Sequence, residues 1–374
     1  MVTASLSTHI EPRTPQGGFA NEPFVDFKNP ENIREMQAAL DHVASQLGRE
    51  YDLIIGGRRL RTEGKIRSLN PARPAQVVGV HQKAGAEHAE EAMTAALSAF
   101  ETWSRTSTSQ RVSLLLDAAA IIRSRHFEFC AWLTYEVGKN WAEADADVGE
   151  TIDFLEFYAR EALRLSSATT PIQYPGERNQ LLYIPLGVGA VIPPWNFPFA
   201  IMAGMTAASI VTGNTVVLKP SSDSPTIAAK FVEVLEGAGI PPGVVNFCPG
   251  SGATFGNAIV EHPKTRFIAF TGPNLLGWTF TSVLLAPRRD RSGSSGRFWK
   301  WAARTQSSFV PMLIWTRPWM ALLQRLLDSV DRNVQHVHAQ LLRLRCTTCL
   351  SSAFGKRWQS SLSEIRPPIT IWAR

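Results

Sequence analysis

The sequence predicts an α/β protein: a doubly wound domain with a parallel sheet, preceded by helices. Three observations carry this. From Gly187 onward, apolar strands and helical stretches take strict turns: GVGAVI, FAIMAGMTAASIV, NTVVLKP, PTIAAKFVEVLEGAG, GVVNFCPG, a short helix from Ala253, and TRFIAFTG. These strands are short and uniformly apolar rather than alternating, so both of their faces are covered. Before them, residues 86–105 and 108–137 place apolar side chains at three- and four-residue spacing (Ala89, Ala92, Met93, Ala96, Phe100; Val112, Leu115, Leu116, Ala119, Ile122), which defines amphipathic helices. A sheet of this kind takes its ligand outside the carboxyl ends of the strands.

Residues 1–50 read as a polar extension with one helix, Asn32–Gly48. Tyr51–Arg61 reads as two short strands around Gly56-Gly57, a hairpin on or near the surface. The helix from 108 starts at a cap, Ser107 or Thr108, and Gly138 stops the stretch. Another helix is expected over Trp141–Leu165, then an extended connection over Ile172–Pro185 with flanking prolines. Residues 51–272 therefore form the α/β domain. After Gly272 neither a period of two nor one of 3.6 persists, and 273–374 is expected to be irregular or disordered, although Trp319–Val330 would pass for a helix on its own.

With 44% hydrophobic and 19% charged residues, the chain of 374 can bury a core. Four scattered cysteines make no disulfide framework and point to a reducing compartment. The first thirty residues lack a signal-like apolar core, and the longest apolar run, Phe199–Val211, is well under the roughly 18 residues that span a bilayer. A cytoplasmic protein with no membrane partner is the expectation. The net charge of +6 suggests nucleic acid until it is divided along the chain. Up to Asn274 there are 23 Lys+Arg against 28 Asp+Glu; from Leu275 onward there are 15 against 4. Tryptophan shifts likewise, four before that point and seven after. The basicity belongs to the tail, and no aromatic or helix-turn-helix pattern accompanies it, so nucleic acid is not expected. A basic interaction protein acting through its tail is a rival reading.

A loop follows three of the strands. In Pro194-Trp195-Asn196-Phe197-Pro198 two prolines stiffen the backbone and place an amide at a strand end, where it could stabilise an oxyanion or merely cap the next helix. In Leu218-Lys219-Pro220-Ser221-Ser222, the lysine and the Ser222 hydroxyl could reach a ribose or phosphate; a solvated turn lysine is the plainer alternative. Gly250-Ser251-Gly252-Ala253-Thr254-Phe255-Gly256 offers backbone N–H groups at a helix start, a weak signal for a pyrophosphate when taken alone.

Together, in this order, the loops resemble those of the aldehyde dehydrogenase superfamily, with Phe270-Thr271-Gly272 as the matching strand end; the resemblance runs from about Asn21 to Gly272. NEPFVDF (21–27), AWLTYEVGK (131–139), EADADVGETIDFLEFYAR (143–160) and VIPPWNFPFAIMAG (191–204) look most like the branch that oxidises glutamate γ-semialdehyde in proline catabolism. By that resemblance Ile192, Pro193, Trp195, Asn196, Lys219, Ser222, Gly252, Gly256, Thr271 and Gly272 would contact NAD, and Asn196 would be the oxyanion donor. It also implies a small-molecule aldehyde substrate, an oligomerisation strand around 172–185 and a homo-oligomer for the intact enzyme. Ser222 stands where many relatives carry a glutamate, which leaves NAD against NADP open. Pro273 replaces the usual serine and removes a backbone donor.

The family's mechanism needs a cysteine nucleophile and a general-base glutamate. Neither motif occurs after Gly272. The genetic code locates them one frame away. Joining the third base of Trp299 to the first two of Lys300 forces GAA, glutamate, and continuing through Gln306 permits methionine, forces glycine, then permits glycine, lysine, aspartate and alanine. In the same frame Val330–Ala339 permits glycine-glutamine-lysine-cysteine-serine-alanine-cysteine-serine-arginine. The two hidden codons begin in Trp299 and Asn333, 34 codons apart, as the family separates its base from its nucleophile. A slip between Thr271 and about Leu276 is the expectation. The chain as written should then lack dehydrogenase activity; an NAD-binding pseudoenzyme or regulatory fragment is a second rival. His336, His338, Cys346 and Cys349 resemble metal ligands, but the shifted frame accounts for them, so no metal site is expected.

Overall fold

The computed structural model describes residues 18–167 and 171–272, residues 276, 277, 279 and 280, and the backbone of 296–301. All of them belong to the first of two units into which the chain divides, Met1–Ile314. The expectations for residues 1–17, for the helix at 319–330 and for most of the tail lie outside the described residues.

Helix α1 (Pro30–Ala44) starts with proline, where no N–H is missed, behind Asn29, whose side chain accepts the Glu31 N–H. Helix α2 (Glu87–Trp103) follows the expected stripe. The stretch 108–137 is two helices, α3 (Thr108–Ser124) and α4 (His126–Val137), separated at Arg125 with φ −115° and ψ 27°. No glycine or proline marks that break, so spacing alone could not reveal it. Ser107 and Gln110 form a reciprocal capping box at the start of α3, and Gly138 ends α4 at φ 69°, a left-handed conformation that side chains disfavour. Helix α5 (Trp141–Ser166) is capped by Asn140 on the Glu143 N–H.

Two sheets form. In the smaller, β1 (Arg49–Tyr51), β4 (Lys65–Asn70) and β5 (Arg73–Gln82) are ordered β1-β5-β4. No strand was expected over 65–82, because its polar residues carry no clean alternation. The larger sheet holds β2 (Leu53–Ile55), β3 (Arg58–Leu60), β6 (Val188–Ile192), β7 (Thr215–Leu218), β8 (Val245–Phe247), β9 (Thr265–Gly272) and β10 (Gly296–Trp301), ordered β10-β9-β6-β7-β8-β2-β3. Strands β6 to β10 are mutually parallel, as expected of a doubly wound domain. Helices α6 (Ala200–Val211) and α7 (Pro225–Gly237) cover one face together with Val191, Val216, Leu218 and Phe267. Helices α2 and α8 (Asn257–Glu261) cover the other with Val188, Ala190, Ile192, Val217 and Ile268. Alternate residues of one strand thus feed two cores, which explains their uniform apolarity.

At three places the structure adds detail to the expectations. The hairpin at 51–61 lies at the sheet edge, near the surface as expected: Arg58 and Arg59 of β3 are exposed, whereas Leu53, Ile54 and Ile55 are all buried, and Ile54 pairs antiparallel with Phe247, so the sheet is mixed at this edge. Three consecutive apolar residues before a Gly-Gly turn obey the same two-face rule as the central strands. Residues 172–185 are the extended connection that was expected, with no ladder partner among the described residues, and Ile172, Tyr174, Leu182, Tyr183 and Ile184 are exposed; an oligomerisation strand would take its partner from another chain. Finally, β10 is a short strand within the tail that was expected to be irregular or disordered; the open edge of β9 supplies its pairing, with Lys300 opposite Thr271. Among the described residues no helix is long and apolar enough to cross a membrane.

One buried acid ties helix layer to sheet. Glu136, on α4, accepts the N–H groups of Thr226 (2.6 Å) and Ile227 (2.7 Å) at the start of α7 and the hydroxyl of Ser68 on β4 (2.7 Å). Burial pushes its carboxyl up, and the donors pull it back.

Candidate active site

Strands β6, β7 and β8 end within one residue of each other, and β9 runs two residues further. Val191 is opposite both Leu218 and Ala269, Ile192 is opposite Phe270, and Leu218 is opposite Phe247. The Lys219 N–H continues the ladder to the Val191 carbonyl (2.9 Å), and the Cys248 N–H to that of Leu218 (2.9 Å). Winding runs from β6 through β7 to β8, then returns across β6 to β9, so the direction reverses between β6 and β9. The crevice of such a sheet opens there, and the loops expected to bind ligand leave from its rim.

The loop after β6 is pinned from below. Ile192 and Pro193 are buried; Trp195 (56% exposed), Asn196 and Phe197 (42%) project. Asn196 does not cap α6, and its side chain makes no hydrogen bond among the described residues. Asp147 of α5 caps the helix instead. Fully buried, it accepts the N–H of Ala200 (2.8 Å), is hydrogen-bonded by the Phe199 backbone, and is bridged by Lys139 Nζ at 2.9 Å. The same ammonium stands 4.0 Å over the Phe197 ring, beside Asn196. Burial pushes the Asp147 carboxyl up while Lys139 and the backbone donors hold it down. Because Asp147 caps α6, the exposed Asn196 amide takes no part in that cap.

The lysine and glycine loops meet. Lys219 is buried, and a Cβ on Gly256 would lie 3.5 Å from its Cε. Its Nζ reaches the Pro220 carbonyl at 3.0 Å and has no carboxylate within salt-bridge distance among the described residues. Burial lowers its pKa to about 8, with distant Asp223 acting the other way. A buried ammonium without a counter-charge is poised for a polar ligand. Ser222 is exposed at the same loop. The expected helix start at Gly252 is a single π-helical turn, Gly252–Gly256, running into α8; the Ser251 hydroxyl takes the Ala253 N–H, one of the donors the sequence seemed to offer. Space is the clearer contribution, since a Cβ on Gly252 would meet nothing within 4 Å.

At the end of β9, Thr271 is buried with its hydroxyl 3.8 Å from Met205 Sδ, and Gly272 is half-buried. Pro273 lies outside the described residues. Sequence reasoning missed Lys139 and Asp147 as site residues. The signal was available: Asp147 occupies the apolar stripe of α5 with Ala144, Val148 and Thr151, where an acid must have a buried partner.

The model of the aldehyde dehydrogenase family matches residues 60–280, more than half of the chain. Among relatives, the 1-pyrroline-5-carboxylate dehydrogenase of Geobacillus thermodenitrificans (strain NG80-2) is 57% identical over 259 residues, 69% of this chain and 50% of that protein. The 1-pyrroline-5-carboxylate dehydrogenase 2 of Bacillus subtilis (strain 168) is 54% identical over the same shares. A solved structure of 1-pyrroline-5-carboxylate dehydrogenase from Thermus with bound NAD superposes with TM-score 0.75 at 45% identity, covering 77% of this chain and 56% of that one. The chain spans about half the length of the relatives it matches. With this match running through the loops that rim its sheet, the chain belongs to the aldehyde dehydrogenase family.

Proposed function

We propose that residues 51–272 are the NAD-binding half of a cytoplasmic enzyme that oxidises L-glutamate γ-semialdehyde, the open form of 1-pyrroline-5-carboxylate, to L-glutamate, and that the chain as written does not itself turn over. The observation that carries the first part is the convergence of three loops on one sheet edge around Lys219, a buried ammonium with no carboxylate partner among the described residues. The residues fit a dinucleotide. Ile192, Pro193 and Trp195 offer an apolar wall, Lys219 and Ser222 face hydroxyl or phosphate oxygens, Gly252 and Gly256 leave room for a pyrophosphate, and Thr271 and Gly272 close the far strand end. Bound there, NAD would supply the hydride acceptor. Asn196, held out by the Asp147 cap, would donate to an oxyanion. The names of the relatives support the aldehyde and the cofactor; the exposed strap at 172–184 supports a homo-oligomer for the intact enzyme.

The second part rests on residue identity. No cysteine or glutamate of the family's motifs stands after Gly272, and 273–374 is read as an aberrant tail in place of the catalytic domain. The shifted glutamate codon begins in Trp299, which β10 holds opposite Phe270 at the rim of the sheet. Purified chain should form no NADH from the semialdehyde above background, whereas protein expressed after restoring the frame between codons 271 and 276 should. Turnover by the chain as written, or silence from the restored one, would overturn the reading. A pseudoenzyme that keeps dinucleotide binding is the second reading, favoured by the loops kept at the strand ends, and NADH fluorescence titration of the chain as written tests it: no binding would end it.

That titration also tests Lys219. Its ammonium is charged below about pH 8 and neutral above, so a ligand oxygen that prefers the cation binds best on the acid side. NADH affinity should weaken by roughly tenfold or more from pH 7 to 9.5, the worth of one charge-assisted hydrogen bond. Lys219→Met should bind weakly at every pH. A profile equally steep in the variant removes Lys219 from the site.

A further inference from the structure

Away from the sheet edge, His126, Cys130 and Asp145 bring one ligand atom each to within 4.8 Å of one another. His126 and Cys130 stand four residues apart on α4, hence on one face; Asp145 comes from α5. Cys130 has no exposure and makes no disulfide, the Asp145 side chain is 3% exposed, and the His126 side chain at 13% forms the rim. His126 Nε2 lies 2.7 Å from Asp145 Oδ1. The other carboxylate oxygen accepts the Val25 N–H at 3.0 Å, which orients it from outside, as metal-ligating carboxylates are oriented by outer partners. Burial first, then the charges of Asp145 and Asp147, disfavour a thiolate here; the same local negative potential favours a cation.

We propose that His126, Cys130 and Asp145 bind a thiophilic divalent cation of the Zn2+ type, with a solvent molecule as fourth ligand on the His126 side. One sulfur, one imidazole nitrogen and one carboxylate oxygen make the mixed donor set that such ions take in four-coordinate sites. On binding, the Cys130 thiol releases its proton to solvent, the His126 ring proton moves from the nitrogen that takes the ion to the other ring nitrogen, and α4, α5 and the segment at Val25 become cross-linked. The competing arrangement is a His126–Asp145 hydrogen bond beside a core cysteine. This proposal is independent of the dehydrogenase reading.

The test uses the full-length chain with Cys346 and Cys349 replaced by serine, so that the tail cannot supply thiolates. Co2+ titration should produce a thiolate-to-cobalt absorption band saturating at one equivalent and should raise the thermal midpoint. In Cys130→Ser the band should vanish. His126→Gln, at the rim and tolerant of substitution, should weaken Co2+ binding by at least roughly tenfold, and it decides the matter if Cys130→Ser fails to fold. No band in folded parent protein, a band that survives Cys130→Ser, or undiminished affinity in His126→Gln would each overturn the site.

Discussion

Asp147→Ala is expected to lower the free energy of unfolding by about 3–5 kcal/mol, the usual cost of removing one partner of a buried ion pair. Three groups lose their acceptor together: the Ala200 and Phe199 backbone donors at the start of α6 and the Lys139 ammonium. The loop carrying Trp195, Asn196 and Phe197 is anchored at its far end by that cap, so its order should fall with the stability. Urea denaturation measures the first effect and NADH titration the second. Lys139→Met should cost less, because the carboxyl left behind keeps its backbone donors and, already pushed up by burial, can take a proton. A loss below about 1 kcal/mol in Asp147→Ala, or one no larger than that of Lys139→Met, would show that the cap does not hold the loop.

A second large effect concerns acid. His81 on β5 has no exposure; its Nε2 lies 2.9 Å from the Thr226 hydroxyl, its ring stacks on Tyr51 at 4.8 Å, and Phe247 meets its edge. Burial lowers its pKa from 6.5 to about 3. Between those values the unfolded chain binds a proton that the folded chain refuses. The stability His81 contributes is therefore fully present above pH 6.5 and is lost as pH falls toward 3, up to about 5 kcal/mol at 1.36 kcal/mol per unit. Urea denaturation at pH 7 and pH 4.5 should show a drop that is about 2–3 kcal/mol smaller in His81→Phe, whatever that variant's stability at pH 7. Equal drops in both proteins would mean that His81 is protonated in the fold.

Legibility followed how local each feature is. The strands GVGAVI, TVVL and VNF and the helices between them were readable because covering both faces of a strand demands an unbroken apolar run. Ser107 and Gly138 declared their helix ends, since capping is a matter of three or four neighbouring residues. The loops at 194–198, 218–222 and 250–256 announced themselves through proline, lysine and glycine placed after strands. The break at Arg125, the strands at 65–82 and the pairing of Ile54 with Phe247 were not readable, because each depends on what a remote segment presents.

By itself the sequence determined the alternation of strand and helix and the family resemblance, and it supplied the codon argument on which the proposed loss of nucleophile and base rests. Only the tertiary structure decided which strand ends stand side by side, that Asp147 rather than Asn196 caps α6, that Lys219 rests against Gly256, and that His126, Cys130 and Asp145 meet. Periodicity and turn chemistry record what a residue asks of its near neighbours. Which distant group answers a buried charge or an open strand edge is settled when helices and sheet pack, because desolvation makes each such group costly until a partner is found.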